Sequence, residues 1–340
     1  MKTKSNSIVL MLLLATMFLT SCGSRYKFKT SQEAVDGCRK MLADLRQKQQ
    51  VNSKELAKII GNWQEIQDSC YSVFSRDSTV QIHSGIANQY FAVSDSIRSQ
   101  INRIASLRQY SLDDIVYIKT HTAKDRDKIH DSDYYKKAVK FYDSLDDGGL
   151  YASPQETVVN YERLLQSSTD IRSKKQLMYF IAEEDKCFRS LLISLSSMPQ
   201  TTLQNLTVKT ANVFNNLYDR VGVRKDSIND ETMLLLTLRF NRRIIQNAVS
   251  CKHDIEDKVR LNNTMKANYR WMLLQPFVTI DNYSFACLTD KQTDELRDIA
   301  KKLPEYLTYL DDGQSTKEQR QNLMNTLSNY FLKNYLMTTI

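Results

Sequence analysis

Glycine and proline are scarce in this chain, 8 and 4 among 340 residues, against usual shares of roughly 7% and 5%. A sheet-rich fold needs many tight turns, so the shortage argues against one and favours long helices with few connections. Histidine is thin as well, at positions 83, 121, 130 and 253. The chain has no paired-ligand spacing such as CxxC or HExxH, no glycine-rich phosphate loop and no GxSxG elbow, so the common metal, nucleotide and hydrolase signatures are missing. Low-complexity tracts and fixed-period repeats are also missing, which argues against a solenoid.

What is present begins at the N-terminus. Lys2 and Lys4 form a positive segment, and Ile8 to Leu19 form an apolar core shorter than the ~20 residues a spanning helix needs. That core closes on Leu19-Thr20-Ser21-Cys22, small residues ending in a cysteine, as a cleaved export signal should. The segment resembles a bacterial lipobox, in which the cysteine thiol receives a diacylglycerol and the signal is cut before it. The Lys/Asn/Tyr/Ile-rich style of the chain fits a lipoprotein of the Bacteroidetes. The resemblance implies a signal peptide over 1–21, a lipidated tether over 22–30 and membrane attachment through Cys22.

Removing Lys2 and Lys4 with the signal takes the net charge from +8 to +6. A basic balance raises nucleic acid as a partner, but the implied compartment and the interleaving of charges argue against it. Lys124-Asp125-Arg126-Asp127-Lys128 and Glu183-Glu184-Asp185-Lys186 read as solvated faces. Arg25, Lys27 and Lys29, alternating with Tyr26 and Phe28, suit a position close to anionic headgroups. Surface-exposed lipoproteins of the Bacteroidetes carry acids just after the lipidated cysteine. Here the segment is basic, which implies the periplasmic face of the outer membrane.

Beyond Cys22, five cysteines remain, Cys38, Cys70, Cys187, Cys251 and Cys287. Cys38 and Cys70 fall on apolar helical stripes, where a free cysteine behaves as a small hydrophobe. Sequence does not say which of the five, if any, form a disulfide.

The body reads as all-α, a multi-helix bundle of ten to twelve amphipathic helices in two modules, 31–146 and 150–340. Thr30-Ser31-Gln32-Glu33 reads as a capping box, with a face of Ala34, Val35, Cys38, Met41, Leu42 and Leu45 behind it. Asn52 or Ser53 opens a second helix carrying Leu56, Ile59, Ile60, Trp63, Ile66, Cys70, Val73 and Phe74 at heptad-like spacing. A third runs from Ser78 to about Leu107 on Ile82, Ile86, Tyr90, Val93, Ile97, Ile101 and Ile104. The second and third are expected to form a two-helix unit with Trp63 buried in its seam. Residues 122–133 read as loop, and Asp146-Asp147-Gly148-Gly149 as the module boundary. Ser153-Pro154-Gln155-Glu156, Thr289-Asp290-Lys291-Gln292 and Ser315-Thr316-Lys317-Glu318 read as further helix starts. Pro304 should kink or stop its helix. The run from Met233 to Leu236 is apolar nearly all round, marking a central helix.

Chemistry-bearing patterns are few. In Cys251-Lys-His253-Asp254-Ile-Glu256, His253 and Glu256 share a helix face, but a helix start capped by Asp254 explains the run without a metal. His130-Asp131-Ser132-Asp133 has the residue types of a triad without its geometry, and Ser132 or Asp131 suits a cap. Asp77-Ser78-Thr79, Asp95-Ser96-Ile97, Asp143-Ser144-Leu145 and Asp226-Ser227-Ile228 match the Asp-Ser/Thr-apolar sequon for O-glycosylation in exported Bacteroidetes proteins, which nominates Ser78, Ser96, Ser144 and Ser227.

These readings point to a non-enzymatic, lipid-anchored scaffold or adaptor of the cell envelope that contacts other envelope proteins, with no metal, cofactor or nucleic acid. The alternative is a binding lipoprotein for a glycan or peptide, broadly similar to the helical starch-utilisation lipoproteins of the Bacteroidetes. The 18 tyrosines suit either a groove or the edges of apolar stripes. A concave pocket lined by aromatic rings would favour the binding protein, and an exposed apolar stripe along 53–107 the scaffold.

Overall fold

The computed structural model describes residues 26–77, 85–144, 153–194, 198–222 and 230–340. The expected signal peptide over 1–21, Cys22 and Asp146–Gly149 lie outside them. The fold is all-α: fourteen α-helices and one 3₁₀ turn, with no strand among the described residues. No helix among these residues is long and apolar enough to cross a membrane. Two compact units are present. Unit 1 takes the chain to Tyr110 together with Tyr117–Thr122 and Leu332–Ile340; unit 2 takes Ser111–Val116 and Ala123–Phe331.

Unit 1 is built on α1 (Ser31–Gln47), α2 (Ser53–Phe74) and α3 (Gly85–Ser106). The Thr30 side chain accepts the Glu33 amide as expected, but Glu33 reaches one residue further back and accepts the Lys29 amide at 2.7 Å. Asn52 is the N-cap of α2. The expected pairing of the second and third helices is corrected: α3 packs mainly on α1, which also carries α2. Helix separation depends on the side chains at the contact. Ala34 and Cys38 on α1 and Ala87, Ser94 and Ala105 on α3 are small and buried, so these two backbones can approach closely. Trp63 is fully buried.

Residues 26–30, expected to belong to a tether over 22–30, include contacts with unit 1. Ser69 Oγ donates to the Tyr26 carbonyl at 2.5 Å, and the Phe28 ring lies over Gly37 so closely that an added Cβ would sit 2.5 Å from it. The chain is therefore held against α1 and α2 from Tyr26 onward.

In unit 2 the helices are α4 (Leu112–Thr122, whose last residues belong to unit 1), α5 (Arg126–Asp131), α6 (Asp133–Asp143), α7 (Pro154–Ser167), α8 (Lys174–Ile193), α9 (Gln200–Val221), α10 (Glu231–Glu256), α11 (Asn263–Thr279), α12 (Asn282–Ala286), α13 (Asp290–Leu310) and α14 (Lys317–Thr339, which belongs to unit 1 from Leu332 onward). Helix α10 is central, packing against α6, α8, α11, α12 and α13. The expected module boundary at 146–149 is corrected, since the compact division falls at Tyr110–Ser111. Helices α5 and α6 belong to unit 2. His130 Nε2 donates to the Ala286 carbonyl at 3.0 Å, and the Tyr142 hydroxyl to the Leu235 carbonyl at 3.1 Å. The Asp-Asp-Gly-Gly pattern is local, and such a pattern carries no information about which apolar faces meet.

Three smaller corrections concern local structure. Residues 122–133 contain α5, entered through Asp125 in the left-handed region (φ 61°) with Ile129 buried behind it. The last helix is boxed by Thr316 and Gln319, which exchange bonds of 3.1 and 2.9 Å, one residue beyond the expected pair. Helix α13 runs through Pro304 to Leu310. The boxes at Ser153 and Thr289 form as read, and Ser132 caps α6.

Candidate functional site

Glu184 lies midway along α8 in line with Leu177, Ile181, Phe188 and Leu191, a stripe of threes and fours that turns into the core. Its carboxylate is 0% exposed and that of Asp185 is nearly so. The reading of 183–186 as a solvated face therefore fails at its two central residues. Burying two carboxylates demands opposite charge and hydrogen bonds. Helix α10 supplies both from Arg239 and Arg243, one turn apart. Arg239 Nη2 donates to one Glu184 oxygen, while Arg243 Nη2 pairs with the other at 2.5 Å and donates to the Glu184 backbone carbonyl at 3.3 Å. Their Nε atoms lie 3.7 and 3.6 Å from a single Asp185 oxygen. The Tyr161 hydroxyl of α7 donates to Glu184 and meets Thr210 Oγ1 of α9 at 3.0 Å.

The two guanidiniums are also sandwiched. Arg239 lies over the Phe214 ring at 3.8 Å and Arg243 over the Phe188 ring at 3.8 Å, a contact that desolvation strengthens. Burial, then the like charge of Arg243, push the Arg239 pKa well below its usual value. Four helices thus converge on a charge-balanced cluster of two acids and two bases.

The two arginines of this cluster, with Tyr161, line a cavity of about 320 Å³, within the range of small-ligand sites. Its aromatic lining comprises Tyr161, Phe188, Phe214, Tyr218, Phe240 and Trp271. Leu203, Leu206, Leu236, Ile244 and Met272 form apolar wall, while Ala211 and Asn215 of α9 are exposed at the rim. Burial pushes the Tyr218 hydroxyl up to about 12, so at neutral pH it is a donor rather than an anion. Polar side chains are interspersed with this apolar wall: Thr210, Thr237, Asn247, Gln275 and Asp281 are among those that join the guanidiniums. Buried Asn247 Oδ1 has no hydrogen-bond partner among the described residues, an acceptor suited to an incoming N–H or O–H.

The sequence-nominated sites lie elsewhere. Cys22, Ser78 and Ser227 are outside the described residues. Ser96 sits inside α3 with its hydroxyl donating to the Ala92 carbonyl at 2.9 Å, and Ser144 ends α6 with its hydroxyl on the Phe141 carbonyl at 2.7 Å. Residues 251–256 form the last turn of α10 rather than a helix start. There the Asp254 carboxylate accepts the Tyr269 hydroxyl, and Glu256 accepts Lys302 at 2.9 Å and Tyr306 at 2.7 Å. No group of three or more ligating side chains capable of holding a metal occurs among the described residues.

The missed cluster had a signal. Arg239 and Arg243 come shortly after the apolar run Met233–Leu236, inside a helix already identified as central, and Glu184 interrupts an apolar stripe at core spacing. Comparison of the chain with protein-family models, with curated proteins and with solved structures finds no match to any of them.

Proposed function

We propose that this chain is a lipid-anchored binding protein of the cell envelope whose second unit takes a small, mostly apolar group carrying a polar end, such as a large side chain of a peptide together with its amide. The observation that carries the reading is the cavity between α9, α10 and α11, aromatic on its walls and bounded by the Arg239–Glu184 cluster. A glycan needs many spaced hydrogen-bonding partners, whereas this lining is dominated by rings and aliphatic chains. The scaffold reading draws less support. Along residues 53–77 and 85–107 the apolar seam is buried, and the large apolar side chains left exposed are the separate Phe91 and Leu107. Isolated exposed hydrophobes of this kind are ordinary on any surface. The lipobox-like Leu19–Cys22 segment supports attachment through Cys22, and the basic residues after it support the periplasmic face of the outer membrane.

Trp271 lines the cavity and Trp63 lies in the other unit, so a Trp63→Phe chain reports on the cavity alone. Titration with the blocked dipeptide N-acetyl-Leu-Phe-amide should change Trp271 emission saturably, and maltose should not. Ala211→Phe at the rim should abolish the response while leaving the helical content unchanged. A saturable response to maltose alone would replace the peptide reading with a glycan one. No saturable response to either at millimolar concentration would sink the binding reading.

A further inference from the structure

Cys38 on α1 and Cys70 on α2 are both fully buried, and their sulfurs lie 3.6 Å apart. We propose that in the exported protein these two residues are joined by a disulfide that clips α1 to α2. The inference rests on the reading of the chain as exported and is independent of the ligand cavity.

The geometry favours this pair over the other thiols. A disulfide needs sulfurs about 2.05 Å apart, and a small side-chain rotation at each residue covers a difference of this size. Cys251 instead lies beside the Met272 sulfur at 3.7 Å, Cys287 is packed by Tyr283, and Cys187 is half-buried on α8. Cys38 and Cys70 are also close enough to share a proton. Their hydrogen bond holds the Cys38 thiol below its usual value and pushes Cys70 above it.

Because both sulfurs are sealed from solvent in the folded unit, the bond forms while the chain folds. The Cys38 thiolate attacks the disulfide of an oxidising dithiol carrier of the compartment, giving a mixed disulfide and releasing one carrier thiolate. The Cys70 thiolate then displaces the second carrier sulfur. Two electrons pass to the carrier, and the two protons lost by the cysteines end on its sulfurs, so that it leaves as a dithiol. The bond closes a loop of roughly thirty residues, which restricts the unfolded chain substantially.

The test uses the full chain in two arms. In the first, protein is isolated from native membranes with immediate alkylation of free thiols, then digested with trypsin without reductant. The expected result is a linked pair of peptides, Thr30–Arg39 and Ile59–Arg76, two mass units lighter than the sum of the reduced forms. In the second, purified chain is refolded in a mixture of oxidised and reduced glutathione, where the same linked pair should dominate. Adding reductant during thermal unfolding should lower the midpoint by roughly 5–15 °C, and the Cys38→Ala/Cys70→Ala chain should show no such sensitivity. Alkylated Cys38 and Cys70 in both arms would overturn the pairing itself. A linked pair on refolding with alkylated thiols from native membranes would overturn the disulfide of the native protein and count against export to an oxidising compartment.

Discussion

The Arg239 guanidinium lies over the Phe214 ring at 3.8 Å while its Nη2 donates to Glu184, so one side chain couples the aromatic wall of the cavity to the buried carboxylate behind it. Removing one partner of such a pair leaves a charge in a low-dielectric interior. Arg239→Met should therefore lower stability by about 3–5 kcal/mol, measured by urea unfolding. Glu184→Gln in the same background should restore part of that loss. A double-mutant cycle with no coupling between positions 184 and 239 would show that Arg243 alone neutralises Glu184.

Trp63 is buried to 0% exposure, and its indole Nε1 has no hydrogen-bond partner among the described residues. Its contribution is therefore packing. Trp63→Ala should cost ~3–5 kcal/mol, whereas Trp63→Phe, which keeps a ring and removes an unsatisfied donor, should cost markedly less. Gln64→Ala should change stability little, because the Gln64 amide nitrogen is itself buried without a partner. Equal losses for Trp63→Ala and Gln64→Ala in chemical denaturation would refute the assignment of the seam as core.

His130 is held below its usual pKa, first by burial and then by the nearby Arg126, against opposing contributions from the Ala286 carbonyl, Asp290 and Asp127. It also stacks on the Tyr135 ring at 4.5 Å. A histidine whose folded pKa is depressed binds its proton more readily when unfolded. Stability from this group is thus full above the unfolded value of about 6.5 and is lost as pH falls from there toward the folded value. The unfolding midpoint should drop between pH 7 and pH 5, and His130→Gln should flatten that slope. An unchanged slope in the variant would assign the dependence to other groups.

Much of the fold was legible because helix ends are local. Ser153 with Pro154 and Glu156, Thr289 with Gln292, and Gly222 in the left-handed region at the end of α9 act within one turn of the chain. Periodicity likewise marked Trp63 and Leu234 as core. What the pattern could not supply was pairing between distant helices. It assigned α2 and α3 to each other although α3 packs mainly on α1, and it divided the chain at a turn although α5 and α6 bury themselves in unit 2. The candidate site was hidden for the same reason. Glu184 and Asp185 belong to a run that looks solvated in one dimension, and only the approach of Arg239, fifty-five residues away, makes their burial possible. Cys22 is the converse case, since the lipobox-like run is a purely linear pattern and lies outside the described residues.

The segment after the anchor gives the last prediction. Tyr26 is tied to Ser69 and Phe28 is laid over Gly37, so if Cys22 carries the lipid, only Gly23, Ser24 and Arg25 separate it from the held chain. That arrangement would hold unit 1 close to the bilayer and place Lys27 and Lys29 at its surface. Only glycine permits the ring to lie so near α1, since any Cβ at position 37 would strike it. Gly37→Ala should displace Phe28 while favouring the helix by up to about 1 kcal/mol. The expected signature is faster trypsin cleavage after Lys27 and Lys29, with an unfolding midpoint unchanged or slightly raised. Should cleavage remain as slow as in the wild type, the segment is held by Tyr26 and Ser69 rather than by Phe28, and Ser69→Ala becomes the substitution that frees it.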